Sequence, residues 1–249
     1  MVSKNQIKLI TQLHQKKYRT QHKLFIAEGS KLIKELLPSR FVLHRLFTTV
    51  ADIFEAEPAL VEVITEKELY KISRLSTPNK ALALFKIPGE EPVQPPSFTV
   101  TLDKVSDPGN LGTIIRLCDW FGVSCMVCSR DTADCYNPKA VQASMGSLAR
   151  VQVVYTGLEE FLSGVSLPVI AADVKGRNVY TATLPEKAVL VMGNEANGIS
   201  ETVLKKAAER ISIPNFSVLQ QAESLNVATA AAVLLSEFRR RKEYTSYEF

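Results

Sequence analysis

Three polar clusters in this chain sit where an α/β protein would handle a ligand. The first is Asp103-Lys-Val-Ser-Asp-Pro-Gly-Asn-Leu-Gly-Thr-Ile-Ile-Arg116. An apolar run ends at Asp103, Pro108-Gly109-Asn110 predicts a turn, and a helix is expected to start between Leu111 and Thr113. Asn or Asp at such a turn caps orphan N–H groups, and a helix start attracts anions. Arg116, an i+4 step from Gly112, can share a face with the turn and add a guanidinium to it. The second cluster is Val189-Leu-Val-Met-Gly-Asn-Glu-Ala-Asn-Gly-Ile199. Here an apolar strand runs straight into glycines and the carboxylate of Glu195, at the strand end where open α/β sheets bind ligands. The third joins Ile211-Ser-Ile-Pro-Asn215 to Glu223-Ser-Leu-Asn-Val227 and a long Ala-rich helix ending in Arg239-Arg-Arg-Lys242. Ser224 is the expected N-cap, and the basic end complements the helix dipole.

Other chemistries find little support. Neither G-x-G-x-x-G nor G-x-x-x-x-G-K-[ST] occurs, so dinucleotide and nucleoside-triphosphate fingerprints are absent. Cys125-x-x-Cys128 has redox or zinc spacing, but it lies in the strand-like run VSCMVCS, where positions three apart face opposite ways. Cys118 and Cys135 do not repeat the pair's spacing, and the three His are scattered, so no metal site is expected.

The elements that must position these clusters follow from hydrophobic periodicity. After residue 98, TVTLDKV, VSCMVCS, VQVVY, PVIAA and AVLVMG are short apolar runs, each followed by a turn and a helical segment. Such near-continuous apolar strands indicate a mostly parallel sheet covered on both faces. Residues 88–98 are rich in Pro and read as a linker. Before them the pattern predicts a smaller α/β domain over 1–87. It has a basic helix at Lys4–His14, a strand in LFIAEG, a helix at Ser30–Leu37, and strands at Val42–Thr48, Val61–Ile64 and Ala81–Phe85.

Composition narrows the class further. The chain has 249 residues, is 46% hydrophobic, and carries a net charge of +4. It is therefore not wholly disordered, and its longest apolar run is well short of the roughly 20 residues that span a bilayer. The N-terminus lacks a secretory-type apolar core, so the cytosol is the expected compartment. Charge is unevenly placed: residues 1–50 hold about +8, including Lys16, Lys17, Arg19 and Lys23, and the rest about −4. A basic module on a mildly acidic body suggests a polyanion-binding arm.

In their order and spacing the three clusters resemble the motifs of SpoU-type (TrmH-type) RNA ribose 2′-O-methyltransferases in the SPOUT superfamily. Asn110-x-Gly112-x-x-x-Arg116 matches the first motif and Leu190-Val-Met-Gly-Asn-Glu195-x-x-Gly198 the second. Ile213-Pro214 followed by Ser224-Leu-Asn-Val227 matches the third. Ser144-Met-Gly-Ser-Leu-Ala-Arg-Val151 is similar to the family's connecting segment, and Lys16–Glu35 to its substrate-binding domain. The resemblance implies an α/β methyltransferase domain over 99–249 with a deep C-terminal trefoil knot. It also implies bound S-adenosylmethionine (SAM), a homodimer, and an RNA substrate, ribosomal RNA ahead of transfer RNA. By motif position, catalytic or orienting roles fall to Asn110, Arg116, Glu195, Ser224 and Asn226. Cofactor contacts fall to Met192, Gly193, Ile213 and Leu225, and RNA contacts to Lys16, Lys17, Arg19, Lys23 and Arg116.

The sequence departs from the pattern in three places. Cys118 stands where Ala is usual, Ala196 where Gly often follows the Glu, and Asn215–Glu223 is about three residues longer than usual. Two rival functions stay open. One is a non-catalytic RNA-binding protein that kept the fold, which the intact motif residues argue against. The other is a nucleotide-dependent oxidoreductase, which would leave the basic N-terminal module without a task.

Overall fold

The computed structural model describes residues 1–89, 96–217 and 224–240. The chain begins with α1 (Lys4–Gln12), α2 (Lys16–His22), β1 (Leu24–Glu28), α3 (Ser30–Leu36), β2 (Leu43–Thr48), β3 (Val61–Val63), α4 (Glu66–Ile72) and β4 (Ala81–Lys86). It continues through β5 (Phe98–Leu102), α5 (Pro108–Trp120), β6 (Cys125–Ser129), α6 (Pro138–Ser144), β7 (Gln152–Thr156) and α7 (Leu158–Gly164). The last elements are β8 (Val169–Asn178), β9 (Ala188–Met192), α8 (Glu201–Leu204), β10 (Glu209–Ser212) and α9 (Val227–Arg240). They gather into two units: Met1–Glu91 with Asp134–Arg150, and Pro92–Ala133 with Val151–Phe249.

In the first unit a mixed four-stranded sheet runs β1-β4-β2-β3. Every residue of β1 is buried, because helices cover both of its faces. Leu24 and Ile26 join Ile10, Leu13, Leu69 and Ile72 on one side. On the other, Phe25 meets Phe85 at 5.7 Å and Tyr136 at 5.0 Å. Tyr136 belongs to the discontinuous segment, whose α6 also packs on β1. Capping boxes start α1 (Ser3 with Gln6) and α4 (Thr65 with Glu68), each satisfying two orphan N–H groups.

In the second unit all six strands are parallel, in the order β10-β8-β9-β5-β6-β7. Register separates the two faces. Val189 and Val191 pack with Leu158, Leu162 and Val203, so α7 and α8 cover that side. Phe98, Val100 and Leu102 align with Ala188, Leu190 and Met192, and Phe98 touches Phe238 of α9 at 5.0 Å, so α9 lies on the opposite side. There α9 packs against α5. Between Arg210 and Ile211 the register jumps from Ala171 to Arg177, and Gly176 presses onto Ile211. A Cβ on Gly176 would lie 2.5 Å from that backbone, so the excursion requires glycine.

The parallel sheet and the expected strands agree with the sequence pattern, which did not name β10; two helix starts do not agree. Helix α5 begins at Pro108 rather than between Leu111 and Thr113, because the Asp107 carboxylate accepts the Asn110 N–H at 2.8 Å and Pro108 suits the first helical position. Helix α9 begins at Val227, and its cap is Asn226 rather than Ser224: the Asn226 Oδ1 accepts from the N–H groups of Ala228 (2.9 Å) and Thr229 (3.2 Å). The expected Lys4–His14 helix ends at Gln12, and α2 is a separate helix. Parts of the linker (90–95), the long loop (218–223) and the C-terminal residues (241–249), with Arg241 and Lys242 of the expected basic helix end, lie outside the described residues.

Candidate active site

The loops after β5 and β9 and the starts of α5 and α9 meet at the carboxyl edge of the parallel sheet. Asn110, in the first turn of α5, donates from Nδ2 to Glu195 Oε1 at 2.8 Å. Its Oδ1 in turn accepts from Asn226 Nδ2 at 3.1 Å. One residue from each of the three sequence clusters thus forms a continuous chain, Asn226–Asn110–Glu195. The capping bonds orient it: Asp107 holds the Asn110 backbone, and Asn226 spends its oxygen on α9, which leaves its amide to reach Asn110.

Glu195 is fixed by its loop. Asn194 and Gly198 exchange backbone hydrogen bonds, both at 2.9 Å. Asn194 Oδ1 accepts from the N–H groups of Ala196 (2.9 Å) and Asn197 (3.1 Å), and its Nδ2 donates to the Lys104 carbonyl at 2.8 Å. A Cβ on Gly193 would lie 2.2 Å from Gly198 C, so no side chain fits there. The second carboxylate oxygen of Glu195 is buried without a hydrogen-bond partner among the described residues. Such a group carries a desolvation cost of about 1–3 kcal/mol, which a bound donor would relieve.

The remaining candidates are placed less uniformly. Arg116 is exposed and makes no ion pair or hydrogen bond with the described residues. It stands six residues beyond Asn110, about 9 Å farther along the helix axis. Ser224 and Leu225 are exposed, Leu225 at 50%, and Ile213 is half-buried. Met192 is buried at 2%, with its carbonyl accepting from the Asp103 N–H at 2.9 Å. Lys16, Lys17 and Lys23 are exposed. Arg19 corrects the expectation of an RNA-facing cation. Its side chain is 2% exposed and paired with Asp134 Oδ2 at 2.6 Å, with a further bond to the Leu13 carbonyl at 2.8 Å.

Several organising residues escaped the sequence reading. Asp103 is buried and accepts the Ser200 N–H at 2.8 Å, tying β5 to the end of the Glu195 loop. Lys104 has a left-handed backbone (φ 58°), held from both sides: its N–H donates to Ser129 Oγ at 2.9 Å, and its carbonyl accepts from Asn194. A non-glycine residue in that region marks a locally overdetermined site. The Ser-Asp-Pro signature of an N-cap followed by Pro at the first helical position could have revealed Asp107. The cysteines serve packing: all four are buried, no disulfide joins them, and burial pushes the Cys125 thiol up to about 11. Among the described residues no cluster has the makings of a metal site, and no helix is long and apolar enough to cross a membrane.

Comparison with known proteins gives these clusters a context. The SpoU rRNA Methylase family profile matches residues 97–236, and the MRM3-like substrate binding domain profile matches residues 4–83. A 23S rRNA (guanosine(2553)-2′-O)-methyltransferase of Bacillus subtilis, RlmP, is 30% identical over 95% of this chain and 97% of its own. A solved TrmH-family structure from Porphyromonas gingivalis is 39% identical, with a TM-score of 0.89 over 97% of this chain and 100% of that one. The AdoMet-bound rRNA methyltransferase of Sinorhizobium meliloti is 31% identical, with a TM-score of 0.85 over 96% and 97%.

Proposed function

The chain belongs to the SpoU rRNA methylase family, and from that premise we propose that it transfers a methyl group from SAM to a ribose 2′-OH, with ribosomal RNA as substrate. The observation that carries the proposal is the Asn226–Asn110–Glu195 chain, which joins all three motifs at one edge of the sheet. The residues suit the cofactor. The glycine at 193 lets the Glu195 loop close backbone on backbone against Gly198 and Ile199, the buried unpartnered Glu195 oxygen awaits a donor, and Ile213 and Leu225 supply accessible apolar surface. When bound, SAM supplies an already activated sulfonium methyl.

What this chain must add is alignment and charge control. Asn110, itself held by Asn226, orients the Glu195 carboxylate, so the acceptor hydroxyl meets a prearranged set of polar groups; alignment of this kind contributes several kcal/mol. Arg116, with a guanidinium pKa above about 12, is a poor base. It binds a backbone phosphate and stabilises the developing alkoxide, while the proton leaves to phosphate or water. Its separation from Asn110 along α5 lets the two groups address different parts of one nucleotide.

The finer architecture follows the same premise. The chain leaves β10 at the sheet edge and returns to pack α9 on α5, beyond β8 and β9; this path supports a trefoil knot over the cofactor site. Trp120, 82% exposed on α5, supports a homodimer through that helix. Residues 1–87, completed by Asp134–Arg150, would serve as an RNA-binding unit, its exposed Lys16, Lys17 and Lys23 meeting phosphates, in a cytoplasmic enzyme.

Calorimetric titration with SAM tests the class without knowledge of the target nucleotide. One site per subunit is expected, lost in Gly193→Val. Methylation of unmodified 23S rRNA transcripts is expected from the wild type and lost in Arg116→Ala. Absence of both binding and transfer, with RNA present, would return the reading to a non-catalytic RNA-binding protein.

A further inference from the structure

We propose that Tyr180 and Phe216 form a stacking platform for an unpaired nucleobase of the RNA substrate, next to the methyl-transfer site. The inference rests on the reading of the chain as an RNA methyltransferase. Tyr180 follows β8 and Phe216 follows β10, two strands paired in register through Arg177 with Ile211 and Asn178 with Ser212. The Val179 N–H donates to the Ser212 carbonyl at 2.9 Å and continues that pairing to the residue before Tyr180. Each ring stands on a turn closed by an asparagine: Asn178 Oδ1 accepts the Tyr180 N–H, and Asn215 Oδ1 accepts the Ser217 N–H, both at 2.9 Å. The presentation of the rings is therefore built into the backbone.

Exposure separates this pair from the structural aromatics of the same unit. Phe98 and Phe238 touch at 5.0 Å and are 4% and 6% exposed. Tyr180 and Phe216 are nearly parallel, at 26°, but 6.5 Å apart and 40% and 81% exposed. That separation is near the upper end of the range for ring pairs, and two open rings contribute little to a core. What they offer is a flat apolar surface with a π-face. A phenyl ring has no polar handle, so it recognises by stacking, in the sequence-tolerant way single-stranded bases are held. RNA recognition favours loops whose bases can splay out onto aromatic side chains.

Position selects the occupant. Both rings lie at the carboxyl edge that carries the Gly193–Ile199 loop, and β8 adjoins β9 directly. β8 pairs with β9 over Val169–Ala171, and after the excursion its end pairs with β10, which stands one strand further out. Phe216 is three residues beyond Ile213, so the platform continues the loop assigned to the cofactor. A base resting there belongs to a nucleotide near the one being methylated.

The test uses the full chain carrying Phe216→Leu, which keeps apolar bulk and removes the π-face, with Tyr180→Leu and Phe216→Trp beside it. Three readouts are taken: KM for an unmodified 23S rRNA transcript, fluorescence of a single-stranded oligoribonucleotide containing 2-aminopurine, and calorimetric SAM affinity. Phe216→Leu is expected to raise the RNA KM about tenfold and abolish the 2-aminopurine quench, with SAM affinity and thermal midpoint unchanged. Phe216→Trp is expected to restore both RNA readouts. Weakened SAM binding at constant RNA KM would assign the rings to the cofactor's adenine and overturn the proposal. A change in sedimentation would assign them to a second copy of the chain, and an unchanged RNA KM and quench would leave them without a role; either overturns it equally. A wild type that quenches 2-aminopurine yet neither binds SAM nor methylates RNA would sink the methyltransferase reading and keep the platform.

Discussion

At the scale of single residues, the site depends on a few side chains whose hydrogen-bonding capacity is divided between structure and chemistry. Asn110 gives its amide to Glu195 and its carbonyl to Asn226. Asn110→Ala would leave both Glu195 oxygens without a side-chain partner and free Asn226 from its far anchor. We expect kcat to fall about a hundredfold with KM for SAM changed far less, measured by single-turnover methyl transfer. Arg116→Lys keeps the charge and loses the planar fork, so a drop of at least about tenfold in turnover is expected; a variant as fast as wild type would show that charge alone suffices. In the first unit, Asp134→Asn strands the buried Arg19 guanidinium and should cost about 3 kcal/mol in chemical denaturation. The sequence showed the types and order of the candidate site residues clearly, because motif spacing is local. It could not show that Arg19 is buried, since its partner is a carboxylate far along the chain, and charge counting treats every cation as exposed.

At the scale of elements, α5 and α9 begin at side chains that cap them and at the same time order the candidate site. Asp107→Ala removes the bond to the Asn110 N–H and should cost about 1 kcal/mol of stability together with part of the activity. The expected start fell three residues late on α5 because the Asp107-Pro108 signature was passed over for the Asn110 turn, and the cap on α9 went to Ser224 because Ser224 and Asn226 are both good capping residues that only the folded geometry tells apart. Strands were easier to read, because the central ones are buried on both faces and so appear as unbroken apolar runs. The five-residue excursion in β8 had only Gly176 to announce it. Helix α4 gives a pH signature. Hydrogen bonds from the Thr65 and Val2 backbone and the Thr65 hydroxyl hold the Glu68 carboxyl down at about 2. Because the folded value is depressed, its stabilisation is complete above the unfolded value near 4.5 and is lost as pH falls toward 2. The gap in thermal midpoint between wild type and Glu68→Gln should therefore be open at pH 7 and narrowing at pH 3.

At the scale of the whole molecule, charge and connectivity dominate. If exposed Lys16, Lys17 and Lys23 meet RNA phosphates, replacing all three with Ala should flatten the plot of log affinity against log salt by about 2–3. An unchanged slope would remove them from the interface. The first unit is completed by a segment that lies inside the methyltransferase half of the sequence: Tyr136 against Phe25, Asp134 on Arg19, and α6 on β1. Residues 97–249 expressed alone should therefore expose Ala140 and Val141 of α6 and aggregate more readily than the full chain. The same connectivity sets a timetable during synthesis. The nascent N-terminal ninety residues leave the ribosome with β1 missing the cover of Tyr136 and α6 and the Arg19 guanidinium without its carboxylate. At a translation rate of about 5–20 residues per second, roughly 3–12 s pass before Arg150 follows Glu91 out. For that interval the incomplete unit is a client for chaperones, and a slow codon placed between the two would lengthen its exposure.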